Sequence, residues 1–272
     1  MNQITRELVS QWLPERDQET YKNKMGHILC IGGNENMGGA ITLSAGAALY
    51  AGAGLVTVAT DPNNLYALHA RHPEAMFINM FDKEALTKNI QKADAVLIGP
   101  GLGRSKESLA IFQTTLKSVT EEQWLIIDGD GLALFAQEDI HLPNSKVVLT
   151  PHLGEWKALT GIQPSADNIE KNRVEAQRLQ ASVILKKDRT EVYVKDEIWQ
   201  NTAGNPSMAT GGMGDTLAGI IGSLLGQFTD KKEALLSAVY IHSAAADELA
   251  LTHYVTLPTQ IIKHLPVFMK NL

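Results

Sequence analysis

The clearest capacity for chemistry in this sequence lies in a glycine-rich segment, residues 211–219, which reads Gly-Gly-Met-Gly-Asp-Thr-Leu-Ala-Gly. It opens an apolar run with helical spacing, so its backbone N–H groups would form a site for an anion such as phosphate. Asp215 lies in this first turn, where it could accept the proton of an attacking hydroxyl group, as a general base does in phosphoryl transfer. For an isolated Gly-Asp pair a capping role would be the simpler interpretation, but the glycines and the preceding Asn205-Pro206 favour catalysis.

Three further glycine-rich turns could contact a second ligand. Residues 99–103 read Gly-Pro-Gly-Leu-Gly, a turn of the kind that contacts phosphates or riboses, although plain tight turns share this composition. Residues 32–40 open a helix of small residues, which suits either close packing or a backbone cradle for a ligand. Residues 128–131 read Asp-Gly-Asp-Gly and place two carboxylates where they could hold Mg²⁺, or where Asp130 simply caps a helix.

Two charged segments also follow predicted strands. Residues 150–155, Thr-Pro-His-Leu-Gly-Glu, place His152 and Glu155 near the functional edge of the sheet, although a capped helix start would show the same pattern. Residues 186–190 read Lys-Lys-Asp-Arg-Thr and form either an exposed hairpin turn or a basic cluster that meets nucleotide phosphates. Cys30 lies within an apolar run, and we expect it to be inert.

Alternating apolar runs and helical stretches must position these segments. Seven short apolar runs cover residues 27–31, 55–59, 95–98, 124–127, 146–149, 183–185 and 191–194, and nearly all are continuous rather than alternating, as in strands buried on both faces. Helical spacing occupies residues 40–53, 106–117, 166–180, 216–225, 231–251 and 258–269. Strands that alternate with helices predict an α/β fold with a mostly parallel open sheet and helices on both faces. Ligands bind such sheets beyond the carboxyl ends of the strands, which is where the candidate segments lie.

The composition excludes several classes of protein. The 272 residues carry 24 Lys and Arg against 30 Asp and Glu, a net charge of −6, so we expect no nucleic-acid partner. No stretch is apolar enough for a membrane-spanning helix, and the charged N-terminus fits neither a signal nor a transit peptide. With one cysteine no intramolecular disulfide can form, and we expect a cytoplasmic protein without a membrane partner. No linker divides the chain, so we expect one domain over residues 1–272.

The order and number of these segments resemble the ribokinase-like superfamily and, within it, the ADP-dependent NAD(P)H-hydrate dehydratases. The resemblance extends from Gly26 to the C-terminus. The matching segments, in chain order, are 38–40 with its alanine-rich helix, 51–56, 99–103, 127–132, 150–155, 185–186 with Thr190, and 204–219. The resemblance implies a ribokinase-like fold and an enzyme of nucleotide-metabolite repair.

The implied substrates are NADH and NADPH that have added water at the nicotinamide ring. In this family the S epimer is phosphorylated with ADP, which leaves AMP, and loss of phosphate then restores NADH or NADPH. The resemblance implies Asp215 as the base, with the amides of Gly212, Met213 and Gly214 stabilising the transferring phosphoryl group.

The resemblance also assigns the two halves of the cleft and the cofactor. The hydrate is expected to lie against Ala40, Gly103, His152 and Asp215. The adenine nucleotide is expected to lie against Lys186, Lys187, Asp188, Arg189, Thr190, Asn205 and Gly214. Mg²⁺ would neutralise the diphosphate, with Glu155 taking part through water.

The implied partners are the hydrates, ADP and AMP, and further copies of the chain in a homo-oligomer, with a tetramer favoured by the family. Some relatives carry an N-terminal epimerase domain. About 25 residues precede the first predicted strand here, so we expect the epimerase to be a separate, functionally linked chain. Lys187 stands where the family usually has glycine, so the nucleotide turn is expected to differ or to gain a charge.

Two other functions fit parts of the sequence. A small-molecule kinase of the same superfamily, acting on a vitamin precursor of the hydroxymethylpyrimidine or hydroxyethylthiazole type, would share the Gly-Asp anion site. The segments 99–103 and 150–155 favour the dehydratase, as does the need for a site with room for a whole dinucleotide. A non-catalytic protein that binds adenine nucleotides would not need Asp215. The residues leave both ADP and ATP, and both hydrates, as candidates.

Overall fold

The computed structural model describes residues 1–137, 140–163 and 168–272, which form one ten-stranded sheet. The strands are β1 (Asn2–Ile4), β2 (His27–Ile31), β3 (Leu55–Thr60), β4 (Met76–Asn79), β5 (Ala95–Ile98), β6 (Trp124–Ile127), β7 (Lys146–Leu149), β8 (Ala181–Leu185), β9 (Glu191–Val194) and β10 (Glu197–Asn201). Their order across the sheet is β1-β10-β9-β8-β7-β6-β5-β2-β3-β4. Only β9 runs against its two neighbours, so the expected mostly parallel α/β sheet is confirmed.

Helices cover both faces of this sheet. They are α1 (Arg6–Trp12), α2 (Gly38–Tyr50), α3 (Leu65–Arg71), α4 (Lys83–Ile90), α5 (Lys106–Ser118), α6 (Asp130–Gln137), α7 (Leu153–Thr160), α8 (Ile169–Arg178), α9 (Met213–Gln227), α10 (Lys231–Ala250) and α11 (Pro258–Lys270). Successive side chains of β2 enter two different cores. Ile28 and Cys30 pack with α2, α9, α10 and α11, whereas Leu29 and Ile31 pack with α4 to α8. Among the described residues, no helix combines the length and apolar character needed to cross a membrane.

The strands with continuous apolar runs are the ones that the sequence predicts. All seven predicted runs are strands, with bounds that differ by two residues at most. The remaining three, β1, β4 and β10, lie at or next to the sheet edges, where partial exposure removes the continuous apolar signal.

One sequence prediction needs correction. The expectation that about 25 residues precede the first strand is wrong, because β1 pairs in parallel with β10. That strand has only three residues, of which Ile4 alone is buried, so its sequence carries almost no strand signal. The helix predicted over 166–180 is observed as α8, and residues 166–167 lie outside the described residues.

Helices α2 and α9 pack closely because both present small residues to each other. A Cβ atom on Gly219 would lie 2.1 Å from the carbonyl oxygen of Ser44. The Ser44 hydroxyl in turn donates a hydrogen bond to the carbonyl oxygen of Asp215 at 2.9 Å. The packing interpretation of the small-residue helix is therefore confirmed, and the contact fixes the first turn of α9 against α2.

We expect Gly219→Ala to lower the free energy of unfolding by roughly 1–3 kcal/mol, because its methyl group would overlap a backbone carbonyl that cannot rotate away. Gly39→Ala is the matched control, since an added Cβ there meets nothing within 4 Å. Alanine should even stabilise that helical turn, by up to ~1 kcal/mol. Urea unfolding measures both variants, and equal stabilities would contradict the close contact between α2 and α9.

Candidate active site

The predicted segments meet at the carboxyl ends of five neighbouring strands, β2 and β5 to β8. The backbone N–H of Asn34, after β2, donates to the carbonyl oxygen of Gly101, after β5, at 2.7 Å. The N–H of Gly103 donates to the carboxylate of Asp130, after β6, at 2.9 Å. The N–H of Lys186, after β8, donates to the turn after β7 at 2.8 Å. The loops therefore form one hydrogen-bonded edge.

The turn after β5 requires a glycine at its first position. Gly99 has φ of 124°, a value that residues with side chains rarely adopt. A Cβ atom there would also lie 1.8 Å from the carbonyl oxygen of Asp128. This segment is therefore a tight turn, and its close contact with the Asp128 carbonyl holds the backbone of Asp128 in place.

Helix α9 begins with amides that face the site. Its N-cap is Gly212, in the left-handed conformation at φ 91°, and Met213 and Gly214 follow in the first turn. First-turn N–H groups have no partner within a helix, so they are suited to an anion. A Cβ atom on Gly214 would lie 3.0 Å from Nζ of Lys186, which places this turn beside a partly buried positive charge.

That charge belongs to an ion pair between Lys186 and Asp128. Nζ of Lys186 lies 2.7 Å from Oδ1 of Asp128, whose side chain is 2% exposed. The Thr150 hydroxyl donates to the same oxygen at 2.7 Å. Burial alone disfavours the charged lysine, but Asp128, together with Glu155 and Asp215, outweighs this cost and raises the pKa of Lys186. The lysine is therefore a fixed cation at the first turn of α9.

The site raises the pKa of Asp215, the carboxylate in the first turn of α9. Burial, reinforced by repulsion from Asp128, raises its pKa from 3.8 to about 6, although Lys186 opposes the shift. A general base is most effective when its pKa lies near the working pH. The structure thus gives the carboxylate predicted from the sequence a basicity that suits proton abstraction.

His152 and Glu155 form the N-terminal cap of α7. Nδ1 of His152 accepts from the N–H of Gly154 at 3.0 Å, while the Glu155 carboxylate accepts from the N–H of His152 at 2.8 Å. This is the capped helix start that the sequence pattern allows. The His152 side chain is still 59% exposed. Burial raises the pKa of Glu155, against the attraction of Lys186.

The segment 186–190 is the hairpin turn between β8 and β9, and its basic side chains diverge. Lys187 turns away from Lys186 and pairs with Glu191 at 2.5 Å. Arg189 is exposed and donates to the carbonyl oxygen of Thr202 at 2.8 Å. Sequence reasoning grouped these residues with Lys186, but among them only Lys186 is placed within the cluster of Asp128, Glu155 and Asp215.

The other residues of the predicted nucleotide site lie in the β8–β9 turn and in the loop before α9. Asp188 is exposed at the tip of the turn. The amide of Asn205 donates to Asp247 at 2.5 Å and accepts from the N–H of Ser207 at 2.9 Å, so it orders the loop before α9. Thr190 is partly buried where the turn enters β9.

A buried polar chain behind the turn escaped the sequence reasoning. Glu191, 1% exposed, accepts from the Tyr193 hydroxyl at 2.6 Å, and Tyr193 accepts from the Asn172 amide at 3.2 Å. The Trp156 indole then donates to Asn172 at 2.8 Å. The chain links Lys187 to α7, and its only sequence signal was a charged residue within an apolar strand. Lys187, which stands where the family usually has glycine, therefore pairs with Glu191 at the start of this polar chain.

Two acids considered for a metal are already engaged. Asp128 is held by Lys186, and Asp130 accepts from Gly103 and from Arg104 at 2.9 Å. Within the described ranges, no three His, Cys, Asp or Glu side chains form a group that could hold a metal ion.

Fold and site together define a ribokinase-like α/β protein with a glycine-rich helix start suited to an anion and a carboxylate in its first turn. A family profile described as NAD(P)H-hydrate dehydratase matches residues 28–267. The chain belongs to the NAD(P)H-hydrate dehydratase family, as the motifs implied.

Individual relatives agree with this assignment. The ADP-dependent (S)-NAD(P)H-hydrate dehydratase of Staphylococcus aureus is 46% identical over 260 residues, which is 96% of this chain and 94% of the relative. A ribokinase-like superfamily protein of Enterococcus faecalis has a solved structure with 42% identity and a TM-score of 0.95, covering 99% of this chain and 95% of that one. The ADP/ATP-dependent NAD(P)H-hydrate dehydratase of Bacillus subtilis, crystallised with ATP and Mg²⁺, is 30% identical with a TM-score of 0.85, covering 99% and 98%.

The raised pKa of Asp215 predicts a pH-dependent cost to stability. In the fold this carboxyl stays protonated up to about pH 6. The protonated side chain therefore contributes fully to the free energy of unfolding below about pH 4, and this contribution is lost as the pH rises through 6. The change in the free energy of unfolding that Asp215→Asn causes should therefore be more favourable at pH 8 than at pH 4, by on the order of 2–3 kcal/mol.

Urea unfolding at the two pH values measures this difference. The control is Asp188→Asn, which removes the same charge from an exposed turn residue. A pH-independent effect of Asp215→Asn would show that this carboxylate is not destabilised by the fold.

Proposed function

We propose that this chain dehydrates the S epimer of hydrated NADH or NADPH, with ADP as phosphoryl donor and AMP and phosphate as products. The observation that carries the proposal is Asp215, a carboxylate with a pKa near 6, in an amide cradle beside the fixed cation Lys186. The activity named for the Staphylococcus aureus relative supports the same reaction.

The two substrates would meet at the start of α9. The hydrate lies against Ala40, Gly103 and His152, so that its hydroxyl group reaches the Asp215 carboxylate. The adenine nucleotide lies against the β8–β9 turn and Asn205, so that its terminal phosphate reaches Gly214. Holding both reactants in this geometry replaces an encounter in solution by a step within one complex.

Phosphoryl transfer then uses the groups already described. Asp215 accepts the hydroxyl proton, the hydroxyl oxygen bonds to the terminal phosphorus of ADP, and the bond from that phosphorus to the AMP oxygen breaks. The amides of Gly212, Met213 and Gly214 stabilise the charge on the transferring group. Lys186 adds a positive charge at the same place and needs no reorganisation, because Asp128 already holds it.

Elimination completes the reaction. The nitrogen lone pair of the reduced ring assists cleavage of the carbon–oxygen bond, phosphate leaves with both bonding electrons, and loss of a ring proton restores the double bond. The sum is hydrate plus ADP to NADH or NADPH plus AMP and phosphate. A kinase of the same fold would stop at the phosphorylated compound.

Mg²⁺ belongs to this proposal as a partner of the diphosphate. It commonly binds through one or two carboxylates and completes its shell with phosphates and water, which fits a site without a three-ligand protein group in the described ranges. We assign Glu155 as the participating carboxylate, through water. Bound there, Mg²⁺ would offset the charge of the diphosphate.

The proposal extends to the setting of the enzyme. We propose a cytoplasmic homo-oligomer, with a tetramer favoured by the family, and a separate epimerase chain that supplies the S epimer. The small residues of α2 do not argue for the oligomer, because they pack against α9 of the same chain. We further propose that residues 1–272 act as a single domain, since both cores share the one sheet.

The assay is restoration of reduced-nicotinamide absorbance from the S hydrate of NADH plus ADP, with AMP and phosphate released in equal amounts. Asp215→Asn should lower kcat by ~10²–10⁴-fold, because the amide cannot accept a proton. In the unmodified enzyme, kcat/KM should fall as the pH is lowered through about 6, where Asp215 becomes protonated. Accumulation of a stable phosphorylated hydrate would instead identify a kinase.

His152 can be tested with two variants that separate capping from binding. Asparagine is a good N-cap residue and alanine is not, so only His152→Ala should lower the free energy of unfolding, by about 1 kcal/mol. Both variants lack the imidazole and should raise KM for the hydrate but not KM for ADP. Normal kinetics in His152→Asn would leave His152 with the cap alone, and a change confined to KM for ADP would reverse the two halves of the cleft.

A further inference from the structure

A cavity of about 510 Å³ lies between α2, α3 and α11, beside the start of α9. This volume is typical of small-molecule sites. Along α2 its wall extends from Gly38 to Tyr50, a length of about 18 Å of helix at 1.5 Å per residue. None of the residues assigned above to the reaction lines it.

The cavity is nevertheless adjacent to the reacting centre. Leu43 lines it, and Cδ1 of Leu43 would lie 2.5 Å from a Cβ atom on Gly212, the N-cap of α9. Ala40, expected to contact the hydrate, directly follows Gly39 in the cavity wall. A ligand whose reactive ring lies at Ala40 could therefore continue along α2 into the cavity.

The side chains that line the cavity carry a net positive charge, whereas the net charge of the whole chain is negative. Arg71 and Lys263 line it against the single acid Glu35, in a chain of net charge −6. In the described parts of the chain, neither cation forms an ion pair. Two cations without internal partners at a cavity are suited to phosphate oxygens.

The remaining wall suits an aromatic group. Leu43 and Ile262 supply apolar surface, and Tyr50, 38% exposed, presents a ring at the far end. His72 lines the same wall and packs edge-to-face against Tyr50, with their ring centroids 6.2 Å apart.

We propose that this cavity binds the adenosine end of the dinucleotide hydrate, with Arg71 and Lys263 holding its phosphate groups. The inference rests on the proposed function and adds a second recognition site to it. The reacting centre handles only the nicotinamide ring, whereas the cavity selects a whole dinucleotide. The phosphate concerned is either in the diphosphate link, which both hydrates share, or the 2′-phosphate, which only NADPH hydrate carries.

The test compares the unmodified enzyme with the double variant Arg71→Ala/Lys263→Ala on three substrates: the S hydrates of NADH, of NADPH and of reduced nicotinamide mononucleotide, which lacks adenosine. Loss of two charge-assisted contacts should raise KM for a dinucleotide hydrate roughly 10-fold or more, with kcat and KM for ADP unchanged. The truncated hydrate should have a high KM in both proteins. Lys88→Ala, an exposed lysine on α4, is the matched control and should change nothing.

The substrates also separate the two phosphates. Equal increases for both dinucleotide hydrates would assign the contact to the diphosphate, and a larger increase for NADPH hydrate would assign it to the 2′-phosphate. The inference is wrong if KM is unchanged for both in an active enzyme, or if the truncated hydrate is affected equally. A changed sedimentation coefficient with unchanged KM would show that a second copy of the chain covers the cavity.

Failure of the proposed function would have a different signature. An unmodified chain that converts no hydrate would refute the reaction, while calorimetry with NADP⁺ would still test the cavity. NADP⁺ carries the same adenosine end, so the double variant should bind it roughly 10-fold more weakly. Equal affinity of both proteins for NADP⁺ would overturn the inference whatever the reaction proves to be.

Discussion

The ion pair between the Lys186 ammonium and the Asp128 carboxylate joins the ends of β6 and β8 across β7. The buried Asp128 carboxylate is costly to desolvate, and the Thr150 hydroxyl offsets part of this cost by donating to Oδ1, the oxygen that Lys186 also contacts. Its position fixes a cation beside Gly214 before any ligand binds. The β5 turn at Gly99, the Asp128 backbone and the start of α9 are all arranged around it.

The two members of this pair shift the pKa of Asp215 in opposite directions. Lys186 favours the ionised carboxylate, whereas burial and the charge of Asp128 favour the protonated form, and the latter influences prevail. A carboxylate kept poorly solvated is a stronger base than one in water, at the cost of fold stability. The site thus obtains basicity from the packing of α9 against α2, which holds Asp215 in place.

The sequence predicted the fold and the site segments where local chemistry was distinctive. Buried strands such as β5 showed continuous apolar runs, and glycines marked the start of α9. Pairing between distant residues had no local signal: nothing in the sequence around Lys186 showed that its partner would be Asp128, or that Lys187 would turn to Glu191. The cavity along α2 was equally hidden, because Arg71 and Lys263 are far apart in sequence and meet only through the packing of α3 and α11 against α2.

Cys30 lies in the middle of β2, in the core shared with α2 and α9, and burial raises the pKa of its thiol to about 12. Only a thiolate reacts readily with peroxides, disulfides or electrophiles, so this side chain is chemically silent at neutral pH. The chain has no other cysteine. Burial in β2 therefore protects this thiol from the oxidants and electrophiles that modify exposed cysteines of low pKa.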